Sequence, residues 1–123
     1  MPAASPTPVR DLLELRDRLR EFADARDWNQ FHSPKNLAMA LIAEAAELVE
    51  HFQWLTEEES THLAPQKKAE VADELADVLT YLVRMADKLD IDLLAAASAK
   101  IERNEERYPA DRARGSARKY TEL

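Results

Sequence analysis

Leu41-Ile42-Ala43-Glu44-Ala45-Ala46-Glu47-Leu48 and Val71-Ala72-Asp73-Glu74-Leu75-Ala76-Asp77-Val78-Leu79-Thr80-Tyr81 decide the fold. Both stretches consist largely of helix formers, and neither contains Gly or Pro. Glu44 and Glu47 are three residues apart, as are Glu74 and Asp77, so each pair shares one face of a helix. At ~100° per residue, Asn36, Ala40, Glu44, Glu47, His51 and Trp54 fall in a stripe about 80° wide. Leu37, Leu41, Leu48 and Phe52 lie beside it. In the later stretch Glu70, Glu74, Asp77, Tyr81 and Arg84 share a face next to Val71, Val78, Leu82 and Met85. The acids therefore border the core.

The heights of the two pairs agree. Glu44 precedes Trp54 by ten residues, ~15 Å of helix, and Glu74 follows Gln66 by eight, ~12 Å. An antiparallel hairpin brings all four carboxylates to one level. Their mutual repulsion calls for cations. No His stands at i+3, unlike the Glu-x-x-His of di-iron bundles. The all-oxygen set suits Mg2+, with Mn2+ as a substitute, and disfavours zinc or redox iron.

Outward from this hairpin, Thr7-Pro8 and Ser33-Pro34 read as helix starts, each with a hydroxyl cap and Pro at the first position. The pattern predicts helices from Thr7 to about Arg26, Ser33 to about Trp54, Gln66 to Leu89, and after Asp90-Ile91-Asp92 to about Tyr108. An aromatic loop, Asp27 to His32, joins the first two. Thr56 to Pro65 reads as a polar connection. The domain reading is a flexible lead (1–6), an all-α domain (7–108) and a basic tail (109–123), with an all-α, four-helix-bundle-like architecture.

One Gly and no Cys among 123 residues argue against hairpin-rich β structure, a disulfide framework and a thiolate site. No apolar run approaches ~20 residues, so no membrane span is expected. The start, Met1-Pro2-Ala3-Ala4-Ser5, does not read as a secretory signal, and a cytoplasmic location is expected. The net charge of −7 disfavours nucleic acid. The charge is uneven: residues 1–99 hold 10 Lys/Arg against 19 Asp/Glu, and residues 100–119 hold 7 against 4. Lys100, Asn104 and Arg107 form one helical stripe that could meet phosphates beside carboxylate-held metal. Trp28, Phe31, Trp54 and Tyr81 offer faces for a base. No phosphate-binding Gly-rich loop is present.

These residues together resemble the MazG-like all-α nucleoside triphosphate pyrophosphatases, in the dCTP pyrophosphatase branch. The likeness runs through Asp27-Trp28-Asn29-Gln30-Phe31-His32-Ser33-Pro34-Lys35-Asn36-Leu37, the acids from Glu44 to Glu50 and Phe52-Gln53-Trp54. It continues in Glu74 to Leu79 with Tyr81-Leu82-Val83, in Lys100, Asn104 and Arg107-Tyr108-Pro109, and in Arg118-Lys119-Tyr120-Thr121-Glu122. The resemblance implies that Glu44, Glu47, Glu74 and Asp77 are catalytic metal ligands. Trp28, Asn29, Gln30, Phe31, His32, Asn36, Trp54 and Tyr81 would contact the nucleoside, and Lys100 and Asn104 the phosphates. It implies Mg-dependent cleavage of dCTP, or a modified dCTP, to dCMP and pyrophosphate. One departure is Leu19, where mammalian members carry a His that contacts substrate. The alternatives are a dUTP or broad non-canonical dNTP pyrophosphatase, and a helical interaction module with structural metal. The third helix is apolar over roughly 160°, wider than the ~100° stripe of a surface helix. A homo-oligomer is expected, and the resemblance points to a tetramer, a dimer of dimers.

Overall fold

The computed structural model describes residues 7–123, so the lead at 1–6 lies outside the described residues. The elements are α1 (Leu12–Ala25), a 3-10 turn (Asn29–Phe31), α2 (Pro34–Glu50), α3 (Glu57–Ser60), α4 (Pro65–Lys88), α5 (Leu93–Arg107), α6 (Ala110–Ala113) and a 3-10 turn (Tyr120–Glu122). The architecture is all-α, as the residue pattern implies. One compact unit runs to Asp90, and Ile91–Leu123 forms a second. No described helix is long and apolar enough to cross a membrane.

In the first unit, α2 and α4 form the hairpin. His51, just past α2, lies 3.3 Å from Lys67 near the start of α4. Glu44, two turns back, meets Glu74, two turns on. Numbers fall on one helix as they rise on the other, so the pair is antiparallel. Ala23, Leu37, Val71, Val83 and Ala86 are the buried apolar residues among those described.

Local chemistry explains where several ends differ from the sequence expectation. α1 begins at Leu12, after Thr7-Pro8, because Asp11 caps it, accepting from Glu14 N–H at 2.8 Å. It ends in a Schellman motif: Trp28 N–H donates to Ala23 C=O at 2.9 Å and Asp27 N–H to Asp24 C=O at 3.1 Å. Asp27 takes the left-handed conformation this requires, φ 54°, which Asp tolerates. The motif turns Trp28 back onto Phe22, ring centroids 5.5 Å apart.

α2 stops at Glu50, short of Trp54, and the chain curls through tight turns that half-bury Phe52 and Leu55. The polar connection holds a turn of helix, because Thr56 and Glu59 form a capping box. α4 starts at Pro65 and ends at Lys88.

In the second unit, Asp92 caps α5, accepting from Ala95 N–H at 3.0 Å. The segment after Pro109 is folded: Tyr120 meets Tyr108 edge to face at 6.0 Å, and the Arg107 guanidinium lies 4.9 Å over the Tyr120 ring. The sequence shows no period there because its two elements are single turns.

Candidate metal and nucleotide site

Glu44 from α2 and Glu74 and Asp77 from α4 each place one carboxylate oxygen so that all three lie within 4.8 Å of one another. The i, i+3 spacing on α4 and the antiparallel register together produce this cluster. Glu47 stands at its edge, exposed, and its charge acts on both Glu44 and Glu74. Glu44 Oε2 and Glu74 Oε2 are buried and have no hydrogen-bond partner. Two buried carboxylate oxygens facing each other need either a proton or a cation between them.

The proton solution shows in the ionisation of the pair. Burial first, then the adjoining Glu74 carboxyl and the Glu47 charge, push the Glu44 carboxyl up to about 7. Glu74 is raised as well, chiefly by burial. The cation solution fits the same atoms: orphaned hard oxygens from three carboxylates, without imidazole or thiolate, match a divalent cation. His51 is not part of the cluster, and its Nδ1 accepts from Lys67 Nζ at 3.3 Å.

The aromatic loop is built by its own polar side chains. Gln30 Nε2 donates to Asp27 C=O at 3.0 Å, and Asn36 Nδ2 to Phe31 C=O at 3.0 Å. Asn29 donates to Asp24 through Nδ2 and accepts from Arg84 and Lys88 through Oδ1. These three amides thus hold the loop. The surfaces left over are those of Trp28 (42% exposed), Phe31 (58%) and the half-buried His32. Tyr81 is half-buried one turn beyond Asp77 on α4, and Leu19 is half-buried on α1. Trp54 leaves the acid stripe altogether, because α2 has ended, and it is 87% exposed. Lys100 and Asn104 are exposed on α5, in the second unit. The residue that sequence reasoning passed over is Arg84. It sat on the acid stripe without a role, and it is the buried charged side chain of the described residues, 5% exposed.

Comparisons with known proteins bear on this arrangement. The sequence profile of the MazG-like family matches residues 40–123. The dCTP pyrophosphatase 1 of Homo sapiens is 47% identical over 121 residues, covering 97% of this chain and 70% of that protein. The dCTP pyrophosphatase 1 of Rattus norvegicus is 46% identical with the same coverage. Among solved structures, that of a pyrophosphatase from Archaeoglobus fulgidus matches with a TM-score of 0.77 at 41% identity, over 86% of this chain and 99% of that one.

Proposed function

The chain belongs to the MazG-like family, and from that premise we propose that it is a dCTP pyrophosphohydrolase that keeps the deoxynucleotide pool in balance. Water adds across the anhydride between the α- and β-phosphates, giving dCMP and pyrophosphate. The observation that carries this reading is the Glu44–Glu74–Asp77 cluster with its two orphaned buried oxygens. Glu44, Glu74 and Asp77, with Glu47 beside them, would hold Mg2+, which Mn2+ can replace. When bound, the metal neutralises phosphate charge and makes the attacking water more acidic.

The remaining work falls to side chains of this chain. Trp28, Phe31, His32 and Tyr81 offer flat faces and a few polar atoms to a base and sugar, and Trp54, exposed beyond the end of α2, would add one more aromatic face. The family resemblance gives Lys100 and Asn104 of α5, a cation and an amide, as the groups that would meet the phosphates. The test is a nucleotide panel with Mg2+ and with chelator. The expected products are dCMP and pyrophosphate from dCTP, abolished by chelation. Nucleoside diphosphate with orthophosphate contradicts the reading. A preference for dUTP moves it to the pyrophosphatase of another pyrimidine, and no turnover at all favours a non-enzymatic module.

The active unit is a homo-oligomer, a dimer of dimers, in the cytoplasm. Five buried apolar residues among those described are a small core, while Met39, Ile42, Leu75, Leu94 and Ile101 are each more than half exposed. A further copy of the chain covering these faces would supply the missing burial, worth roughly 25 cal/mol per Å² of apolar surface. Light scattering at micromolar concentration should give a multiple of 14.0 kDa. A fully active 14.0 kDa species overturns the assembly.

A further inference from the structure

Arg84 stands on α4 one turn beyond Tyr81 and two turns beyond Asp77. Its guanidinium uses three edges at once. Nη2 donates to Asn29 Oδ1 at 2.7 Å, Nε to His32 Nδ1 at 3.3 Å, and Nη1 to Asp87 Oδ2 at 3.5 Å. Lys88 adds a second donor to Asn29 Oδ1 at 3.1 Å. Arg20 of α1 fixes Asp87 through its Nε at 2.7 Å. An apolar side chain would fill this volume with a smaller desolvation cost. The fork does something an apolar group does not: it dictates the state of His32.

Guanidinium has only donors and does not deprotonate in proteins. The His32 Nδ1 that faces it must therefore be an acceptor without a proton. The ring is then neutral and carries its hydrogen on Nε2. The charged groups around it, Arg84 and Lys88, are both cations, and Trp28 lies on another side with ring centroids 6.2 Å apart. Burial and these two charges lower the His32 pKa from its ordinary value.

We infer that Arg84 is a positioning residue for the nucleotide site: it fixes His32 as the neutral Nε2–H tautomer and ties the 28–32 loop to the helix that bears Glu74 and Asp77. The nucleoside then meets a hydrogen-bond donor at His32, suited to a carbonyl oxygen or ring-nitrogen acceptor of a pyrimidine, and no cation. The inference rests on the nucleotide reading above and deepens it.

The first measurement is independent of activity. Long-range 1H–15N NMR of the full chain near pH 7.5 should show His32 protonated on Nε2. A proton on Nδ1, or an imidazolium, overturns the inference. The second is kinetic, with dCTP and Mg2+. Arg84→Lys keeps the charge but not the planar fork, so KM should rise about tenfold with kcat within about threefold, and the His32 tautomers should mix. His32→Gln keeps a donor near the Nε2 position and should hold KM within about threefold, whereas His32→Asn should raise it about tenfold. An unchanged KM in Arg84→Lys, equal losses in kcat and kcat/KM, or indistinguishable Gln and Asn variants overturn it. The His32 variants leave Arg84 in place and serve if Arg84→Lys does not fold. Wild-type protein that turns over no nucleotide sinks the nucleotide reading, while the NMR result still judges the tautomer.

Discussion

Glu44→Gln should abolish turnover and, at pH 8, raise the melting temperature of the metal-free protein. The two effects have one cause. Glu44 is pushed up to about 7 because its carboxylate is buried against Glu74 and repelled by Glu47 and Asp77. In the unfolded chain the same group titrates near 4.5. Between those values the folded state holds a proton that the unfolded state has released, so stability falls as pH rises. Below about 4.5 the penalty is absent, and above about 7 it is complete. Gln has no charge to repel, so the variant should lose this decline. It should match the wild type near pH 4.5 and exceed it at pH 8. Activity moves the other way. Losing an outer-shell partner of a metal typically costs ~10–100-fold, so losing a ligand charge should lower kcat/KM by more than about 100-fold. Added Mg2+ should stabilise the wild type at pH 8 and the variant much less. A Gln variant that keeps its turnover at saturating Mg2+, or whose metal-free form melts below the wild type at pH 8, removes Glu44 from the site.

The same four acids show how far the sequence could be read. Spacing at i, i+3 puts Glu74 and Asp77 on one face, and hairpin arithmetic brings Glu44 level with them. Both steps need only helix geometry, so the all-α hairpin and its acid cluster follow from local rules. Trp54 does not, because it depends on where α2 stops. Its periodicity continues past Glu50, while the half-burial of Phe52 and Leu55 curls the chain away. Asp11 and Thr56 were legible cap signals hidden behind Thr7-Pro8 and a polar stretch. Arg84 is the instructive case. Periodicity placed it correctly on the stripe of Glu74 and Asp77, but a stripe records direction and not cover. Its burial is created by a loop 52 to 55 residues earlier, through Asn29 and His32. A Schellman motif at the end of α1 aims that loop, and no pattern within α4 reports it.

Asp87→Ala should be the most destabilising substitution of a charged residue among those described. The Asp87 side chain is 10% exposed and the Arg84 side chain 6%, and Asp87 is Arg84's carboxylate partner. Removing it leaves a guanidinium buried without its counter-ion, which costs about 3–5 kcal/mol. For a chain of this size that lowers the melting temperature by about 10–25 °C at fixed protein concentration. Arg20→Ala removes the more exposed half of the Arg20–Asp87 pair, 47% exposed, and should lower the melting temperature far less than Asp87→Ala. Replacing both buried members, Arg84→Met with Asp87→Leu, should recover much of the loss, because the unpaired charge goes with its partner. Differential scanning calorimetry of the two single variants and the double variant decides the matter. A loss in Asp87→Ala no larger than in Arg20→Ala would mean that Arg84 is hydrated or otherwise neutralised, and that the cluster is an ordinary surface network. The pH dependence gives a separate check. The hydrogen bond from Arg20 is the main reason the Asp87 pKa lies below its ordinary value. Its contribution is present above about 3.8, the unfolded value, and is lost only as pH falls through the lower folded value. Glu44 and Asp87 therefore pull in opposite directions on the acid side. Metal-free protein should gain stability as pH falls from 7 toward about 5 and lose it again below about 4. Asp87→Ala should keep the first limb and flatten the part of the second that Asp87 causes.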